Sequence, residues 1–408
     1  MHRLQNICAF FAVLFLAFFA IASYALEGMQ RTSLWVAIPA ATVLSFLTFP
    51  QFKFNIYMKL QLALYLWIAF TALFAHFPLI AGSQVRRIVV CFMSIYCFNQ
   101  LAMKQGMVKW LYVVYIIFYL GMLYYAGTHI LDADYDYTED RLDDNKLNAN
   151  MIAYFTFFTT FIVYMMAEII KTKWVRFVFL ILFLISPVWS FLAAILTGSR
   201  QIIVIQVPLI VILFYLRYLK NQSSIRKVLF VVAGIVAGIV LIQKGLSIYE
   251  GSYLSQRNEE SYMEDSRSKL IMDALEVGIT HPLVGVGPGC FGKFKYGRSF
   301  SHCNYVELFA NSGLLAIALC IAMYWIFIKT QWKRYKRTKD RVILVFCIFG
   351  LMYALDNVFY VYYTNPWLMS FFFLVAMHSD NYYQEKYSIN RPVTQAALGA
   401  FNEEISRS

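Results

Sequence analysis

Charge is what this sequence is short of. Only 14% of its 408 residues are Asp, Glu, Lys or Arg, where a soluble domain carries about a quarter. A fold whose whole surface faces water is excluded. Long polar stretches are equally scarce. Apolar residues make up 60% of the chain, in runs near 7–26, 34–49, 60–81, 88–103, 110–127, 151–169, 177–196, 201–218, 228–243, 303–328, 342–361 and 363–378. These are helix-length segments for a hydrocarbon core about 30 Å thick. The expectation is an all-α polytopic membrane protein with about 12 transmembrane helices, one membrane domain over 1–378 and a polar cytoplasmic tail over 379–408. The first run has no convincing small-residue cleavage site after it and is read as a span. No internal repeat is visible.

Cysteine carries no redox message. Cys8, Cys91, Cys97, Cys320 and Cys347 sit within apolar runs, where a thiol behaves as a small hydrophobe. Cys290 and Cys303 flank one long polar segment and could pair in an oxidising compartment, although unpaired packing is the preferred reading. The net charge of +12 does not make the chain a nucleic-acid binder, because its basic residues gather in short loops. With the N-terminus inside, 22 Lys and Arg fall on the inner side and 13 on the outer. Seven of those 13 belong to one long loop that the positive-inside rule largely ignores.

Two outer segments are too polar for lipid. Thr128–Asn150 carries Asp132, Asp134, Asp136, Glu139, Asp140, Asp143 and Asp144. It reads as a solvated acidic loop, since the glycine and closing glutamate of a calcium-binding EF-hand loop are missing. Lys244–Ser301 is the one large extracytoplasmic loop. Within it Leu270, Ile271, Ala274, Leu275 and Ile279 repeat at helical spacing, which predicts an amphipathic helix over 267–279 at the outer surface.

Ionisable residues inside the spans and away from the inner rim are few: His76, Glu307 and Asp356. A transporter or flippase for a lipid-linked solute, the alternative class, would show more of them and two related halves. The notable charges lie at the outer rim instead: Arg86 and Arg87 at the mouth of the fourth span, Arg200 in a tight turn, and Arg257, Arg267, His281 and His302 in or beside the long loop. Arg200 follows Thr197-Gly198-Ser199 between two apolar helices and must sit at the interface. It either snorkels to headgroups or holds a lipid-linked phosphate through its planar donor fork. The three alternating glycines of His281-Pro282-Leu283-Val284-Gly285-Val286-Gly287-Pro288-Gly289 are not a nucleotide loop. No Lys-Ser/Thr pair follows, and Pro288 removes a backbone donor. They predict a sharp, close-packed turn. His302 opens the tenth span, where a helix start favours a neutral, proton-accepting imidazole.

Three blocks in fixed order resemble the O-antigen ligase and polymerase superfamily of bacterial envelope glycosyltransferases. They are Thr197-Gly198-Ser199-Arg200; Arg267 followed by His281 to Gly289 and Phe291; and His302-Cys303-Asn304-Tyr305-Val306-Glu307-Leu308 with Gly313-Leu314-Leu315. The resemblance covers roughly 150–330; earlier spans match in number and hydropathy. Two positions depart from it: Ile271 stands where the family often has Trp, and Cys303 where it commonly has Asn, leaving Asn304 to substitute.

What the resemblance implies is a C-type membrane glycosyltransferase fold in the bacterial cytoplasmic membrane. It takes a glycan from undecaprenyl diphosphate, on the extracytoplasmic side, to an acceptor glycan or glycolipid. The reaction would be inverting, with no metal and no cofactor. Carried over by position, Arg200 and Arg267 bind the diphosphate and His302 assists the acceptor hydroxyl. The chemistry is coherent, because preorganised arginines offset the charge developing on a departing diphosphate and a positioned base contributes on the order of a hundredfold or more. Arg257, Arg86 and Arg87 are further candidate contacts to diphosphate or glycan, and Asn304, Glu307 and Asp356 further candidates for substrate binding.

Overall fold

A computed structural model describes residues 2–24, 29–48, 54–104, 106–130, 149–197, 199, 201–219, 266–295 and 300–388. Among them there is no strand. The long helices are α1 (His2–Tyr24), α2 (Gln30–Thr48), α3 (Ile56–Thr71), α4 (Pro78–Ala102), α5 (Met107–Ile130) and α6 (Ala149–Ile169). Next come α7 (Lys173–Leu184), α8 (Ser186–Thr197) and a helical segment to Leu219 whose middle is α9 (Val207–Phe214). After the undescribed stretch follow α10 (Ser266–Thr280), the single turn α11 (Phe291–Phe294), α12 (Asn304–Thr338), α13 (Arg341–Asp356) and α14 (Pro366–Tyr383). Helix thus occupies most of each expected span except the ninth, 228–243, which lies outside the described residues, as do the acidic segment 132–144 and the tail beyond 388. Six described helices are long and apolar enough to cross a membrane, and the bent pair α7 and α8 would make a seventh. The protein is a polytopic membrane protein.

Burial sets the architecture. In the most apolar stretch of α6, 89% of residues are buried, against 39–44% in the other spanning helices. A helix apolar all round belongs at the centre, and Phe155, Phe157, Phe158 and Phe161 fill it. Phe158 stacks on Phe371 at 4.1 Å and Phe118 packs on Trp367 at 4.3 Å. Offset aromatic pairs of this kind contribute about 0.5–1.5 kcal/mol each beyond their burial. Without water to drive helices together, such packing is the main cohesive term. Exposed Leu, Ile, Val and Phe side chains on α1, α2 and α7 are the lipid-facing surface that this environment permits.

Several boundaries differ from expectation for identifiable reasons. The third span ends early, because the chain leaves helix after Phe74 and α4 restarts at Pro78, whose ring is compatible with a first turn. His76 therefore lies in the break and not within a span. Arg86 and Arg87 are two turns into α4, exposed, rather than at its mouth. The seventh span bends by 42° between α7 and α8, where Pro187 lacks an amide donor and crowds the preceding turn. Helix α12 runs on through the basic stretch assigned to a loop and ends at Lys339, φ 55°. Lys and Arg are good helix formers, and solvent at that end does not oppose the helix.

Candidate functional site

Helix α12 is interrupted at Gly313, where φ is 78° and ψ −173°, and the glycine turn fills the interruption. Val286 N–H donates to Ala310 O at 2.9 Å, Gly287 N–H to Asn311 O at 3.0 Å, and Leu314 N–H to Pro282 O at 2.8 Å. Trp67 Nε1–H, from α3, donates to Ser312 O at 2.8 Å. Broken helices persist at membrane depth only where neighbours satisfy the freed groups, and here each carbonyl from 310 to 312 has its donor. The glycines are required for the fit. A Cβ on Gly313 would overlap the Leu283 carbonyl, and one on Gly285 would overlap the α12 backbone at Asn311.

Helix α10 covers the stretch expected as helix over 267–279 and is one residue longer at each end. Its buried face is Leu270, Ala274 and Val277, with Gly278 against the Phe309 ring. Ile279, assigned to that face, is 62% exposed. The face packs into a second, smaller core with Ala81, Val286, Cys290, Phe291 and Ala310, so α10, the glycine turn, the start of α4 and α12 meet in one place. His76 N–H donates to Val286 O at 3.1 Å, tying the α3–α4 break to the turn. Cys290 and Cys303 are both free thiols, and burial pushes each above its ordinary range.

From this platform hydrogen bonds lead to His302. Phe291 N–H donates to Asn311 Oδ1 at 2.9 Å, Asn311 Nδ2 to Glu307 Oε1 at 2.8 Å, and Ser301 N–H to Glu307 Oε2 at 2.6 Å. Ser301 Oγ also donates to Cys303 O at 3.1 Å. Between these fixed points His302 adopts φ 62°, which few residues other than Gly adopt. Its ring is half-buried, with its centroid 4.2 Å from that of Phe300, and Phe300 meets Tyr360 at 5.9 Å. Sequence reasoning placed His302 at a helix start but not in a left-handed conformation, for which no sequence signal existed.

A second relay reaches the Thr197–Arg200 turn. Asn304 N–H donates to Asn357 O at 2.8 Å. The adjacent Asp356, 0% exposed, accepts from Gln201 Nε2 and from Tyr362 O–H. Gln201 is the residue after Arg200, so the turn after α8, the end of α13 and the start of α12 converge. Asn304 Oδ1 accepts from the Tyr362 and Tyr363 N–H groups at 2.8 and 3.1 Å. That occupies the amide oxygen that was to substitute beside His302. Arg87 stands near the same end, its charge acting on the Tyr360 and Tyr363 phenols.

Of the residues singled out from the sequence, His302 and Arg87 thus border one region at one end of the bundle. Asn304, Glu307 and Asp356 are buried in hydrogen bonds to the protein itself. Arg86 is exposed on α4. Arg267 lies in the first turn of α10, its side chain outside the description, and Arg200 and Arg257 lie outside the described residues. No cluster of three or more potential metal ligands occurs among the described residues.

A bundle wrapped around a buried aromatic helix, with a broken helix stapled by a glycine turn beside a histidine of positive φ, defines a multi-pass membrane protein. Residues 185–319 match the family model described as O-Antigen ligase. That stretch contains all three sequence blocks, the glycine turn and the start of α12, and over it the chain is similar to that family. None of the curated proteins compared with the chain matches it.

Proposed function

We propose that the protein is a glycosyltransferase that moves glycan from undecaprenyl diphosphate to an acceptor glycan or glycolipid at the outer face of the bacterial cytoplasmic membrane. The observation that carries the reading is the pair of relays meeting at residues 301–304, one from the glycine turn and one from Gln201. Together they link the three blocks of the family region by hydrogen bonds, and both serve to hold the backbone around His302.

In this reading the His302 imidazole accepts the proton of the acceptor hydroxyl as its oxygen attacks the anomeric carbon. The bond from that carbon to the diphosphate oxygen breaks, with inversion, and the electron pair leaves with the diphosphate. Arg200 and Arg267 bind the departing anion, which a guanidinium fork suits better than an ammonium, and Arg87 and Arg257 are added contacts to diphosphate or glycan. No metal is assigned a step. Asn304, Glu307 and Asp356 act on His302 and the Arg200 turn as positioning residues, not as glycan contacts. Effective base catalysis needs the acceptor within hydrogen-bond reach, so errors of about 1 Å in that backbone would be costly.

Deleting the gene and resolving surface glycan on a gel tests the activity and its direction. Single repeats on the acceptor indicate a lost polymerase. An unmodified acceptor with accumulated lipid-linked polymer indicates a lost ligase. Unchanged surface glycan would overturn the proposal.

A further inference from the structure

At the far end of the bundle from His302 lies a charged cleft of about 770 Å3 that the transfer reaction does not use. It is bounded by Glu168, Lys339, Asp340, Arg341, Tyr382 and Lys386. Helix α13 separates the two ends, because Arg341 begins it and Asp356 ends it. Its 16 residues span roughly 24 Å at about 1.5 Å per residue, so cleft and site lie at opposite ends of the bundle.

Both carboxylates in the cleft are already neutralised. Arg341 Nη2 donates to both Glu168 oxygens at 2.8 Å, and Arg217 donates to the same carboxylate. Asp340 Oδ1 caps α13 through Val342 N–H at 2.8 Å. Its Oδ2 accepts from Lys386 at 2.9 Å, Tyr382 at 2.9 Å and Tyr387 at 2.7 Å. Two guanidiniums thus share one carboxylate, and among the described residues no acid lies within ion-pair distance of Lys339. The cleft keeps surplus positive charge.

The backbone adds an independent observation. Lys339 closes α12 in a left-handed conformation, φ 55°, where glycine or asparagine is the usual residue. A lysine held there at a conformational cost suggests use of the side chain. The depth of the cleft adds another. Trp332, one turn before the Tyr335 that borders it, Trp174 at the start of α7 and Trp110 at the start of α5 are 44%, 80% and 58% exposed. Exposed tryptophans near helix ends are typical of the headgroup layer.

We infer that this cleft binds the phosphate headgroup of an anionic phospholipid from the leaflet opposite the glycan site, with Lys339 and Arg341 as its cationic contacts. Basic pockets between helices at headgroup depth suit this chemistry.

The test uses the purified full-length protein in detergent, titrated with short-chain phosphatidylglycerol, short-chain phosphatidylcholine or inorganic phosphate while the melting temperature is followed. Phosphatidylglycerol should raise the melting temperature, with little response to the other two. Lys339→Gly should melt higher than the parent without lipid, because the strain is relieved, yet need at least tenfold more phosphatidylglycerol for half the effect. Lys336→Ala, which removes the same charge from α12 outside the cleft, should respond as the parent does. Equal responses to the two lipids, or an undiminished response in Lys339→Gly, would overturn the inference. A response to inorganic phosphate matching that to phosphatidylglycerol would reassign the cleft to a soluble anion and overturn the lipid claim.

Discussion

At the scale of single residues, the account turns on side chains that hold backbone rather than touch substrate. Glu307 accepts from Ser301 N–H and Asn311 Nδ2, and its removal leaves two buried donors unpaired. Glu307→Ala is expected to lose most glycan transfer, and Glu307→Gln, which keeps an acceptor oxygen, to retain more. A transfer assay at matched protein levels measures the ratio. Asp356 invites the same comparison, since Gln201 and Tyr362 both donate to it. Asp356→Leu should lower stability by about 1–3 kcal/mol for each donor left unsatisfied, Asp356→Asn by less, as read by thermal unfolding in detergent. His302, Glu307, Asn304 and Asp356 all stood out in the sequence, and the structure brings them into one hydrogen-bonded region. Their division of labour was not legible there, because whether a carboxylate meets glycan or a buried amide depends on contacts between residues far apart in sequence, such as Gln201 with Asp356.

At the scale of elements, the decisive feature is a helix broken on purpose and stapled by a loop. Sequence pattern recognised the glycine turn as sharp and close-packed. It could not reveal the break at Gly313, because hydrophobic periodicity runs straight through a helix that resumes after one residue. Gly313→Ala places a side chain at φ 78° against the Leu283 carbonyl, and left-handed strain alone costs about 1–2 kcal/mol. It should cut both folded yield and glycan transfer, whereas Gly82→Ala, which meets nothing within 4 Å, should change neither; membrane immunoblots and the surface-glycan gel check both. The α12–α13 connection carries a pH dependence. Burial acts to raise the Asp340 carboxyl, but hydrogen bonds from Lys386, Tyr387, Val342 N–H and Tyr382 outweigh it and hold the group below its ordinary 3.8. A depressed folded-state value means stability present above that ordinary value and lost as pH falls through the lower one. The loss between pH 5 and about 3 should therefore be smaller in Asp340→Asn than in the parent, measured by melting temperature against pH.

At the scale of the whole molecule, hydropathy foresaw nearly every helix, because a bilayer demands apolar segments of fixed length and leaves few alternatives. Which helix is central was not foreseen. Helix α6 is enclosed and α7 largely exposed, yet both are strongly apolar, and the difference arises only when Phe155, Phe158 and Phe371 find one another. The run Lys329–Arg341 ends at one side of the bundle and His302 begins at the other, on opposite ends of α12. With the basic end inside, a cysteine introduced at Lys336 should react with a membrane-impermeant maleimide only after the cells are opened, and labelling in intact cells would invert the assigned orientation.

The central claim is that His302, locked between Ser301 and Cys303, takes the proton in a glycan transfer. The most direct measurement is transfer of glycan from a purified polyprenyl-diphosphate donor to its acceptor by purified parent and His302→Ala proteins with matched melting temperatures. The account predicts product from the parent and a rate at least a hundredfold lower from the variant, while equal rates would contradict it.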